Sequence, residues 1–216
     1  MARGPKPEKV IAALVDRYGT TFVQEAGFTL RDSPSSLFRL LCLALLLSAR
    51  IRSSIAVNAA KALAKHKWTT PQRLLDSTWE ERAKVLNQSG YARYDERTST
   101  MLEQSARLLV ERWGGDLRNL RREAERNPSR ERQLLQQFKG IGEVGADIFC
   151  REVQTIWEEL RPFADRRALA TAERIGLPAD PARLARLAGQ DDLSTLVAAL
   201  IRLHLDKGYK SLLDAG

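Results

Sequence analysis

The segment Lys139-Gly140-Ile141-Gly142-Glu143-Val144-Gly145-Ala146, with Asp165 twenty residues after Gly145, carries the clearest chemistry in the chain. Glycines at 140 and 142 permit positive φ and remove side-chain bulk, so backbone N–H groups can approach another molecule closely. Gathered at a helix N-terminus, such groups form a seat for a phosphate oxygen. The plain alternative is a helix–helix connection that uses glycine for structural reasons alone. Glu143, standing where a phosphate would approach, favours that alternative. Asp165 also has two readings. After Arg161-Pro162-Phe163-Ala164 it can cap the N-terminus of the next helix. Beside a pocket it could instead stabilise a cationic sugar transition state or orient water, as carboxylates do in glycoside cleavage.

The elements that must hold these groups are helices. Helical periodicity runs throughout, with no alternating strand, and the expected fold class is all-α. Helices are expected at about 8–18, 37–49, 54–66, 71–76, 79–87 and 95–113, then two between 116 and 138 split at Asn127-Pro128. After the glycine hairpin they are expected at 146–160, 165–175, 181–188 and 192–207. The 37–49 run is capped by Ser33-Pro34-Ser35-Ser36 and has too few polar positions for a surface helix, so it should be the buried centre of a bundle. Gly90-Tyr91 forms a turn before the long 95–113 helix.

Charge narrows the partner. The net charge is +8, and Ser33 to Leu75 holds seven basic residues (Arg39, Arg50, Arg52, Lys61, Lys65, Lys67, Arg73) with no Asp or Glu, leaving +1 for the rest. A one-signed block suits a docked polyanion, although a solvated helix face that lacks acids would look the same. The two cysteines, Cys42 and Cys150, are too few for a disulfide framework or a four-cysteine iron–sulfur site, and are expected to be buried thiols in a reducing compartment. His66 and His204 are too isolated to form a side-chain metal site, and the four tryptophans are expected to be packing residues. Met1–Pro5 has no apolar signal segment, and Leu37–Leu47, interrupted by Arg39, is too short to span a bilayer.

Several segments together resemble the helix–hairpin–helix DNA glycosylase superfamily, in its endonuclease III-like branch. Leu45-Leu46-Leu47-Ser48-Ala49-Arg50 is similar to the family's L-L-S-A-Q, and Gly90-Tyr91-Ala92-Arg93 to the turn before its long helix. Lys139 to Ala146 resembles P-G-V-G-R-K-T-A. Ala164-Asp165-Arg166-Arg167 with Ala172-Glu173-Arg174-Ile175-Gly176-Leu177 resembles V-D-T-H with A-N-R-L-G-L, and Leu200 to His204 resembles the late L-I-x-x-G/H helix. The order and spacing hold over roughly residues 35 to 205.

The resemblance implies two helical domains, 36–145 and 1–35 plus 146–216, with a DNA-binding cleft between them. It implies a catalytic Asp165, and a hairpin of Lys139, Gly140, Ile141, Gly142 and Gly145 that anchors DNA, with a monovalent cation able to sit at its backbone. Arg50 stands where the family has a glutamine that fills the gap left by a flipped base. Arg52, Tyr91 and Arg93 are expected to touch DNA. Two features of the family are missing. Val144 replaces the lysine that attacks the sugar, and the C-terminal iron–sulfur cysteines are absent, so no cluster or other cofactor is expected. The expected activity is therefore monofunctional, hydrolytic base excision in DNA repair. The alternative is a DNA-binding protein of the same fold without catalysis. The expected partner is double-stranded DNA rather than a membrane, and the expected form a monomer in the cytoplasm, associated with the nucleoid. Because Val144 has no amine, borohydride trapping on lesion-containing DNA should give no covalent adduct. A robust adduct would return a nucleophilic role to a lysine such as Lys139.

Overall fold

A computed structural model describes residues 6–189 and 193–209. Every regular element among them is helical: α1 (Pro7–Tyr18), α2 (Phe22–Glu25), α3 (Pro34–Leu47), α4 (Ser53–Lys65), α5 (Pro71–Leu75), α6 (Trp79–Leu86), a π-helical turn (Asn87–Tyr91), α7 (Asp95–Trp113), α8 (Leu117–Glu123), α9 (Pro128–Leu135), α10 (Glu143–Val153), a 3-10 turn (Glu158–Leu160), α11 (Arg166–Arg174), α12 (Pro181–Ala188) and α13 (Leu193–Asp206). Boundaries follow local chemistry. Prolines open α1, α3, α5, α9 and α12, where the missing N–H has no intrahelical partner to lose. Thr78 and Glu81 close a reciprocal capping box on α6. No described helix is long and apolar enough to cross a membrane.

The chain forms two compact units, and their boundary falls inside α10. The first comprises 1–22 and 151–216. Within it α1 lies against α13, which also packs on α11 and α12. The second comprises 23–150 and is organised around α3, where Leu37, Leu40, Leu43, Ala44 and Leu46 are wholly buried. Helices α4, α7 and α8 pack on it. Residues 23–35, which the sequence reading grouped with the termini, belong to this second unit. The Phe28 ring lies 4.0 Å beneath the Arg39 guanidinium, Ser36 Oγ donates to the Thr29 carbonyl, and Arg121 pairs with Asp32.

One expected helix is broken. The 146–160 run begins earlier, at Glu143, and stops at Val153. Gln154 is buried, and its Nε2 donates to the carbonyls of Arg151 (3.0 Å) and Phe163 (2.9 Å) while its Oε1 accepts from the Phe163 amide. These non-local bonds turn the chain back, and the periodic pattern resumes as the short 3-10 turn. The two cysteines are buried, and burial pushes the Cys42 thiol up to about 12.

In the hairpin the glycines differ. Gly140 has φ +90°, and a Cβ there would lie 2.9 Å from Met101 Sδ and 3.3 Å from Leu45 Cγ. Gly142 lies outside the left-handed region and has open space around it. Gly140→Ala should therefore cost about 1–3 kcal/mol in denaturant unfolding. Gly142→Ala should stay within about 0.5 kcal/mol of wild type.

Candidate active site and nucleic-acid interface

The last turn of α3 is the anchor for the hairpin. Leu45 limits the space beside Gly140, and a Cβ on Gly145 would meet Ser48 Oγ at 2.7 Å. Ser105 Oγ of α7 donates to the Lys139 carbonyl at 3.1 Å, and the Phe138 ring packs on Trp113 with centroids 5.4 Å apart. The hairpin is thereby fixed with Lys139, Gly142, Glu143 and Val144 exposed. The opening amides of α10 have no partner within the helix, as at any helix N-terminus.

One expected hairpin contact is corrected. Ile141 is a core residue, 2% exposed, and its amide donates to the Phe138 carbonyl, so it has neither side chain nor amide to offer DNA. At Gly145 the nearby Ser48 Oγ leaves no room for a side chain. The Phe138, Lys139 and Gly142 carbonyls already accept from Ile141, Ser105 and Ala146. A monovalent cation here would have to share these bonded oxygens.

Tyr91 is also corrected. It ends the π-helical turn, in which Gly90 takes φ +86°, and is wholly buried with its hydroxyl donating to the Leu46 carbonyl at 2.8 Å. Burial pushes the phenol up to about 12. The chain kinks at Gly90, Tyr91 next to it lies inward, and Arg93 is exposed, its guanidinium 5.5 Å over the Tyr94 ring. Gly-Tyr in sequence signals a turn but not which side chain faces the core.

The acid-free block divides similarly. Arg39 is half-buried on Phe28, and burial lowers its pKa, so it acts as a packing cation. The other six basic residues are exposed. Arg50 and Arg52 lie in the α3–α4 connection, and Lys61 and Lys65 share with Ser54 and Asn58 one exposed stripe of α4.

Asp165 is placed in the first unit at the N-cap of α11. Its Oδ1 accepts from the amides of Arg167 (2.8 Å) and Ala168 (3.1 Å). Its Oδ2 accepts from Arg151 at 2.6 Å, and both side chains are under 10% exposed. A carboxylate offers about four lone-pair sites. Three are taken, leaving one for a water or substrate hydroxyl. Arg151 was missed in the sequence, although an arginine following Ile148-Phe149-Cys150 in an apolar run signals a buried ion pair. His204, read as isolated, lies within electrostatic range of Asp165, Arg167 and Arg174. Partial burial and then the two arginines push it below its usual 6.5, with Asp165 opposing them.

No protein-family model matches this sequence, and no curated protein does. Solved structures do match in fold. A trapped endonuclease III–DNA covalent intermediate, the estranged-adenine complex, aligns over 92% of this chain and 86% of its own, with a TM-score of 0.51 and 16% identity. A non-covalent endonuclease III–DNA complex aligns over the same shares, with a TM-score of 0.53 and 16% identity. The all-α endonuclease III-like fold is thus shared.

Two outcomes follow from the site. Arg151→Met, which leaves a buried carboxylate unpaired, should cost about 3–5 kcal/mol in denaturant unfolding. Tyr91→Phe should lower stability by about 1–3 kcal/mol in the same measurement, whereas Arg93→Gln, at an exposed position, should leave it within about 0.5 kcal/mol of wild type.

Proposed function

We propose that this protein is a monofunctional DNA glycosylase, which hydrolyses the N-glycosidic bond of a damaged or modified base in duplex DNA as the first step of base excision repair. The reading rests most heavily on Asp165, a buried carboxylate held by three donors at the start of a helix with one lone-pair site left over. Its support is the likeness in fold to endonuclease III, a protein seen in covalent and non-covalent complexes with DNA.

Such an enzyme takes the target nucleotide out of the base stack. The C1′–N bond breaks with its electron pair leaving on the base, and positive charge develops on the sugar ring. Asp165 stabilises that charge and accepts a hydrogen bond from the water that adds at C1′. The proton of that water passes to solvent. Val144, half exposed beside the hairpin, has no nucleophile to form a Schiff base. The opening amides of α10 and Lys139 hold a backbone phosphate, Arg50 fills the gap left by the flipped base, and Arg52 and Arg93 add backbone contacts. The chain acts as a monomer on double-stranded DNA and needs no cofactor.

The second reading, a DNA-binding protein of this fold that excises nothing, is favoured by one observation. The bonds of Asp165 to Arg151 and the α11 amides are structurally complete without a substrate.

A panel of duplexes, each carrying one damaged or modified base, separates the two when scored for alkali-labile abasic sites. One duplex should be cut by the wild-type chain. Asp165→Asn keeps a competent N-cap and removes the charge, so excision should fall about 100-fold or more while DNA binding persists. Binding without excision of any base by the wild type would establish the second reading.

A further inference from the structure

We infer that Arg167 and Arg174 of α11, with His204 of α13, form a seat for a phosphodiester of the DNA strand whose nucleotide Asp165 engages. This deepens the DNA-binding reading above and rests on it.

Arg167 and Arg174 are exposed and seven residues apart, on one face of α11 and about 10.5 Å from each other along its axis. Ala170, small and exposed, lies between them on that face. Among the described residues neither guanidinium is paired with a carboxylate. Glu173 is the one acid on this helix, about 100° round from Arg174. Asp165 is already compensated from the interior by Arg151, so the two exposed arginines are surplus positive charge on the helix that Asp165 caps. Arg174 is steadied over the Tyr209 ring at 3.9 Å, and the Tyr209 hydroxyl lies 3.2 Å from His204 Nδ1. The charged groups acting on His204 are Arg167, Arg174 and Asp165, all at α11. Helices α1 and α12 also pack on α13 but contribute no charge to it among the described residues.

The physical requirement is direct. A carboxylate brought up to a nucleotide's sugar meets the phosphates on either side of that sugar, and like charges repel. Cations beside the carboxylate offset this repulsion. Arg167 stands two residues from Asp165, and Arg174 one face-length further along. A phosphate between them also opposes their effect on His204, so binding takes up a proton there.

The test is fluorescence anisotropy of the full chain with a labelled DNA duplex over a series of salt concentrations, with circular dichroism to verify folding. Arg167→Gln and Arg174→Gln should each reduce the slope of log affinity against log salt, and the double variant should reduce it by about 0.9. Arg174→Lys, which keeps the charge, should retain the slope. Wild-type affinity should rise as pH falls into the range below 6.5, where the lowered His204 takes up its proton, and His204→Gln should remove that rise. A steep wild-type slope left unchanged by both glutamine variants overturns the seat and leaves the DNA-binding reading standing. A pH profile unchanged in His204→Gln overturns the part assigned to His204. Excision is not measured, so slope losses uphold the seat whether or not the chain excises a base. A wild-type chain that binds no DNA overturns both.

Discussion

Much of the second unit hangs on the last turn of α3. Leu45 shapes the space beside Gly140, Ser48 excludes any side chain at position 145, and the Leu46 carbonyl receives the Tyr91 hydroxyl at 2.8 Å. The glycine hairpin and the π-helical turn are thus both tied to residues 45–48 at the end of one largely apolar helix. Because Leu45 and Leu46 are buried in the core, that turn cannot shift without opening it. Segments far apart in sequence therefore keep a fixed spacing, and Arg50 and Arg52 leave the same helix end a few residues later. A rigid scaffold beneath exposed loops is what a site for a large, stiff ligand needs.

Charge is distributed in a matching way. Interior cations are given structural partners: Arg82 binds the Leu74 and Ser77 carbonyls and pairs with Glu103, Arg39 lies on Phe28, and Arg151 holds Asp165. The cations that remain, on α4, on α11 and around the π turn, face solvent. The net charge of +8 is thus carried largely by exposed side chains, where a polyanion would meet it.

Asp165 combines two duties that resist each other. Capping α11 and pairing with Arg151 fix its position, which favours preorganised electrostatics. The same bonds leave it one unoccupied lone-pair site, so any chemistry must be done through that opening. A carboxylate held this way suits stabilising a neighbouring cation and orienting one water.

The helical class, most helix positions, the apolar α3 and the N-cap at Asp165 were legible in the residues, because period, proline and capping chemistry act over a few neighbours. The direction of Tyr91, the burial of Ile141, the break at Gln154 and the placing of 23–35 with the central unit were not. Each is decided by partners distant in sequence: Leu46, the hairpin's own packing, Phe163, and Arg39 or Arg121. The sequence by itself determined which residues could cap, bend or carry charge. Only the tertiary structure decided which of them face the core, because burial is a property of neighbours that the linear order does not contain. Arg151 meets Asp165, and Arg167, Arg174 and Asp165 act on His204, for that reason, from three separate helices, α10, α11 and α13.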